Sequence, residues 1–81
     1  MKMVDKVRTV LSTLGGEAQL GDIYEEIARQ FSMSMPGSRR AGIRKEIERH
    51  SSASDLWRVN RPDYFYSVYG KGKGVWGLRH H

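Results

Sequence analysis

Arg39, Arg40, Arg44, Lys45 and Arg49 crowd one stretch of this 81-residue chain, and Lys71 and Lys73 alternate with glycine near its end. Cations so grouped suit one chemistry above others, the gripping of a polyanion. An arginine pairs bidentately with a phosphate or a guanine edge. A lysine flanked by glycines brings its charge and the neighbouring backbone amides close to a sugar-phosphate chain. Other groupings fail on spacing. His50, Ser51, Ser52 and Asp55 offer the residue types of a hydrolytic triad, but as neighbours at one helix end without a nucleophile elbow. His50, His80 and His81 lack the spacing and the carboxylates of a metal site. Gly70-Lys71-Gly72-Lys73-Gly74 lacks the phosphate-loop spacing and the helix that must follow it. The residues predict neither catalysis nor a cofactor nor a metal within this chain.

The net charge of +5 is unevenly placed: residues 1–35 sum to −1 and residues 36–81 to +6. That asymmetry is the footprint of a polyanion partner. There is no cysteine, hence no disulfide framework and no thiolate metal site. No apolar run approaches the ~20 residues of a membrane helix, and the charged N-terminal residues do not read as a secretory signal. The expectation is a single cytoplasmic domain over residues 1–81, without a membrane partner and monomeric on its own.

The elements that must position these cations follow from periodicity. Val4, Val7, Leu11 and Leu14 share one face of a helix over about 2–14, closed by Gly15-Gly16. Glu17–Leu20 reads as a brief extended link. Leu20, Ile23, Ile27 and Phe31 mark a second helix over about 21–32, capped by Gly21 or Asp22. Pro36-Gly37 makes a turn, and Ser38 caps a third helix over about 38–50. On a wheel, Ile43, Ile47 and His50 point inward with Arg40 and Glu46 at the margins; Ser38, Ala41 and Lys45 point outward. Two aromatic and β-branched runs then flank the glycine-lysine tip as a hairpin over about 64–79. Three helices followed by a hairpin form the α+β order of a winged helix-turn-helix.

Residues 15–28 (Gly-Gly-Glu-Ala-Gln-Leu-Gly-Asp-Ile-Tyr-Glu-Glu-Ile-Ala), 43–52 (Ile-Arg-Lys-Glu-Ile-Glu-Arg-His-Ser-Ser) and 72–79 (Gly-Lys-Gly-Val-Trp-Gly-Leu-Arg) resemble a bacterial winged-helix family. Its members sit as N-terminal modules of HNH-type and other restriction-like endonucleases. The ending is similar to those of HARE-HTH domains and of the winged helices of Mrr-like proteins. The resemblance spans almost the whole chain. It implies binding of double-stranded DNA in a bacterial, nucleoid-associated setting, and in several such systems recognition of cytosine bearing a 5-substituent. It also implies a separate cutting domain, because the HNH motif is absent from these 81 residues.

On this reading the third helix enters the major groove. Arg39, Arg40, Arg44, Lys45 and Arg49 reach phosphates or base edges, and Ser38, Ala41 and Gly42 allow close approach. Lys71 and Lys73 touch phosphate or dip into the minor groove, and Arg58 is a further DNA-binding candidate. Trp76, alternating with Leu78, belongs to the core. Trp57 either covers the core edge or offers its flat face to a base. Neighbouring aromatics at 64–66 alternate between faces, so one or two tyrosine hydroxyls stay exposed. The rival readings are a winged helix that binds protein, with an apolar patch around Met33, Met35 and Trp57, and an RNA binder, for which the RRM motif is missing.

Overall fold

The computed structural model describes residues 1–70 and 72–80. Its elements run α1 (Met3–Thr13), β1 (Glu17–Gln19), α2 (Leu20–Phe31), α3 (Gly37–Arg49), β2 (Phe65–Ser67) and β3 (Val75–Leu78). The described residues thus form a small α+β fold of three helices and a three-stranded antiparallel sheet of order β1-β3-β2. Among the described residues no helix is long and apolar enough to cross a membrane.

The apolar stripes read from the sequence meet in one core. Val4, Val7, Val10 and Leu11 of α1 pack with Ile23 and Ile27 of α2, Ile43 and Ile47 of α3, Phe65 of β2 and Trp76 of β3. Each such side chain contributes roughly 1.5–3 kcal/mol by leaving water. Leu14, Leu20, Phe31, Met33, Met35 and Leu78 seal its edges, half-buried.

α1 ends where expected: Gly16 N–H donates to Leu11 O at 2.8 Å and Gly15 N–H to Ser12 O at 3.2 Å. The next segment departs from expectation. Glu17–Gln19 is not a mere link but an edge strand, with Glu17 opposite Gly77, Ala18 opposite Trp76 and Gln19 opposite Val75. Bonds from Leu78 N–H to Gly16 O (2.8 Å) and from Leu20 N–H to Gly74 O (2.9 Å) extend this pairing at both ends. The same pairing corrects the start of α2. Leu20 is already helical, and Gln19, extended at φ −73° and ψ 152°, stands at the cap position in place of Gly21 or Asp22. The strand feeds straight into the helix and leaves no turn for a side-chain cap to organise.

α3 likewise begins one residue before the expected cap. Pro36 is extended and its carbonyl receives the Arg40 N–H at 3.0 Å, so Gly37 opens the helix and Ser38 sits inside its first turn. The fixed φ of proline holds the chain in the geometry that precedes a helix, and no side-chain hydrogen bond assists.

β2 and β3 pair with Phe65 opposite Leu78, Tyr66 opposite Gly77 and Ser67 opposite Trp76. Arg79 N–H to Tyr64 O (2.9 Å) and Val68 N–H to Val75 O (3.0 Å) continue the ladder over the expected hairpin. Gly70, Gly72 and Gly74 all take positive φ at the tip, at 97°, 82° and 74°, which side chains with a Cβ rarely adopt.

Candidate nucleic-acid interface

The two inward residues of α3, Ile43 and Ile47, are fully buried, and this fixes what the rest of the helix presents. Ser38 and Lys45 are exposed on the outer ridge as the wheel requires, whereas Ala41 is half-buried there. The two flanks of the ridge differ in character.

On the flank toward α1, a groove of about 610 Å³ runs between the helices, with Lys2, Arg39, Lys45 and Arg49 as its cations and Glu46 as its acid. Arg39 is half-buried and donates to Ser34 O at 2.7 Å, so it braces the turn before α3 rather than reaching freely outward. Arg49 donates to Glu46 Oε2 at 3.2 Å. An exposed pair of this kind contributes about 0–1 kcal/mol, weak enough for a phosphate to redirect it. Lys2 is a contributor that sequence reasoning missed, because only the packing of α1 on α3 sets it beside this groove.

On the flank toward α2, Arg40 and Arg44 are exposed near Tyr24. Arg40, at the margin of the wheel, does not turn inward. Its guanidinium stands over the Tyr24 ring at 6.0 Å from the centroid, since the half-buried aromatic occupies the space between the helices. Burial raises the Tyr24 hydroxyl above its usual range, and Arg44 and Arg40 partly offset this.

The C-terminal end of α3 is tied to the hairpin. His50 O accepts from Tyr64 N–H (2.8 Å) and Phe65 N–H (3.0 Å). The His50 ring stacks on Tyr64 at 5.3 Å, with Nδ1 at 3.1 Å from Pro62 O. Arg79 then clamps the base of the hairpin, donating through Nε to Asp63 Oδ1 and Phe65 O, both at 3.0 Å, and through Nη2 to Ser52 Oγ at 3.2 Å. Burial works to raise the Asp63 carboxyl, but hydrogen bonds from Ser52 and Arg79 outweigh it and hold the group below the usual aspartate range. These contacts fix the hairpin relative to α3. The tip, the loop after α3 and Glu48 therefore converge on one recess that includes Ala53, Ser54, Gly70 and Gly72.

Lys73 is exposed at the tip; Lys71 lies outside the described residues. Trp76 is buried as expected, and Tyr69 is the exposed aromatic of the hairpin, at 72 %. Tyr66 spends its hydroxyl on Glu17 Oε2, at 2.8 Å. Trp57 is half-buried but stands apart from the core cluster, within the irregular loop that follows α3. The turns of that loop keep it there, through bonds such as Trp57 N–H to Ser54 O at 3.2 Å. Arg58 is exposed in the same loop and donates to Trp57 O at 3.2 Å. The exposed large apolar side chains are Met1, Leu56, Val59 and Tyr69; Met33 and Met35 pack against the core instead. Among the described residues no three His, Asp or Glu side chains form a metal-binding group.

Four acids gather on one side, although Glu25 also borders Arg40 and Glu46 lies among the cations of the α1 flank. Glu17, Asp22, Glu25 and Glu26 line one hollow on the β1–α2 side. Arg29 there is held by Glu26 through a two-point contact. Arg40, Arg44, Lys45 and Lys73, by contrast, form no ion pair among the described residues.

No protein-family model, no curated protein and no solved structure matches the chain.

Proposed function

We propose that this chain is a winged helix-turn-helix module that binds double-stranded DNA, with α3 in the major groove and the β2–β3 hairpin as a wing against the backbone. The observation that carries the reading is the set of cations without ion-pair partners among the described residues, Arg40, Arg44 and Lys45 on α3 and Lys73 on the tip, while the acids of the β1–α2 side gather in a hollow of their own. A helix N-terminus carries partial positive charge. The first turn of α3 holds no acid to cancel it, whereas that of α2 holds Asp22. Phosphate is thereby favoured at the start of α3. The helix order and the antiparallel hairpin fit the winged-helix layout. In this role the chain is a cytoplasmic, nucleoid-associated recognition module without catalysis of its own, and its cutting partner is a separate nuclease domain. The mark it senses in that setting is a 5-substituted cytosine.

Fluorescence anisotropy on matched duplexes tests this. The panel carries cytosine, its 5-methyl, 5-hydroxymethyl, 5-formyl and 5-carboxyl forms, and a phosphorothioate linkage. A preference of about tenfold for one mark, equal to about 1.4 kcal/mol, supports a modification sensor. Equal binding leaves a general or sequence-reading DNA module. Absence of binding to every probe at low salt refutes the proposal. It would favour the second reading, a protein-docking module, for which Leu56 and Val59, the latter 88 % exposed, are the specific observation.

A further inference from the structure

The recess between the C-terminal half of α3, the loop after it and the hairpin tip has a volume of about 140 Å³. Glu48, Ala53, Ser54 and Trp76 line it, and Gly70 and Gly72 close it on the tip side. We propose that this recess receives one cytosine ring turned out of a DNA duplex, with the Glu48 carboxylate accepting from the 4-amino group. The proposal rests on the DNA-binding reading and names the ligand that this seam of the interface selects.

Size argues first. An apolar cavity of about 150 Å³ takes up one benzene ring, so this recess holds a single six-membered ring and is small for a fused purine. Its walls suit a flat ring, with the buried Trp76 on one side and glycine backbone on another. Chemistry argues second. The two hydroxyls at the recess are engaged at home: Ser67 Oγ donates to Gly70 O at 2.6 Å, and Ser54 Oγ accepts from Leu56 N–H at 3.2 Å. The Glu48 side chain has no hydrogen bond or ion pair among the described residues. A carboxylate beside a phosphate-binding surface repels the backbone. The groups on DNA that it suits are exocyclic amines, those of cytosine, adenine and guanine. Ring size selects cytosine. Thymine presents a carbonyl oxygen at the same ring position and is repelled. Position argues third. Arg44 and Lys45 precede Glu48 by one turn of α3, and Lys73 follows Gly72, so cations flank the recess where phosphates on either side of a displaced nucleotide would lie.

The test compares three duplexes that differ at one position: cytosine opposite guanine, cytosine opposite an abasic site, and thymine opposite an abasic site. A base without a pairing partner is turned out at lower cost. The full chain should bind the unpaired-cytosine duplex about tenfold more tightly than the paired one, and unpaired thymine by less than about threefold. Ala53→Leu fills the recess from an exposed loop position and should abolish the cytosine gain, while paired-duplex affinity stays within about threefold. Glu48→Gln should narrow the cytosine–thymine difference, because an amide can donate to the thymine carbonyl. An equal gain for thymine, or a cytosine gain that survives Ala53→Leu, overturns the proposal. Equal affinity for all three duplexes overturns it and leaves DNA binding standing. Failure to bind any of them overturns both.

Discussion

The salt dependence of DNA binding follows from counting cations. Arg40, Arg44, Lys45 and Lys73 are exposed and have no ion pair among the described residues. Arg39, Arg49 and Arg58 are already engaged with Ser34 O, Glu46 and backbone carbonyls of the loop. Each phosphate neutralised releases condensed counterions and adds about −0.9 to the slope of log affinity against log salt. Four contacts give a slope of about −3.6, and a contribution from Lys71 would bring it to about −4.5. Between about 50 and 200 mM salt, affinity should then fall roughly 150-fold to 500-fold. Lys73→Gln should lower the slope by about 1 and weaken every sequence alike, because a tip lysine on phosphate carries no base information. Anisotropy titrations of one duplex at four salt concentrations, with and without the substitution, give both numbers. A slope near zero, or a Lys73→Gln protein with the unchanged slope, refutes the cation count.

Three further predictions follow. Arg44→Ala should alter preference among duplex sequences more than Arg39→Ala, since Arg44 is exposed on the α2 flank while Arg39 is tied to Ser34 O; competition binding against a randomised duplex pool compares the two. Gly77→Ala should destabilise the fold by about 1–3 kcal/mol, because the added Cβ would lie 2.6 and 2.7 Å from the Tyr66 ring and 2.9 Å from its hydroxyl. In a Tyr66→Ala background the same change should become neutral or stabilising, and urea unfolding that returns an equal cost in both backgrounds would disprove the clash. The depressed Asp63 carboxyl stabilises the fold above the usual aspartate value of 3.8, and this contribution is lost as pH falls through the lower folded-state value. Asp63→Asn should therefore flatten the acid end of the stability curve measured by denaturant unfolding below about pH 4, and an unchanged acid limb would count against the Ser52–Asp63–Arg79 clamp.

The chain's sequence by itself determined the three helices, the hairpin and most of the core. Their signals are local: apolar residues every three or four positions, a glycine pair after α1, and paired β-branched and aromatic runs around the tip. It also determined which half is basic. What it did not determine is where partners from distant segments meet. β1 is three residues with little β-propensity, and it becomes a strand only because β3, from the other end of the chain, supplies the ladder. That ladder moved the start of α2 to Leu20, and the geometry of Pro36 moved the start of α3 to Gly37. The candidate interface divided in the same way. The cations of α3 and the tip were legible as residues, but their charges depend on neighbours that only packing brings close. Ser34 O holds Arg39, Glu46 holds Arg49 and Tyr24 lies under Arg40, while Lys45 has no ion pair among the described residues. Lys2 entered the groove through the packing of α1 on α3, and Glu48 reached the recess because the hairpin folds back beside α3. A helix wheel fixes the angle at which a side chain leaves its own helix. Which surface it meets there is set by long-range packing, and no local pattern in the chain encodes it.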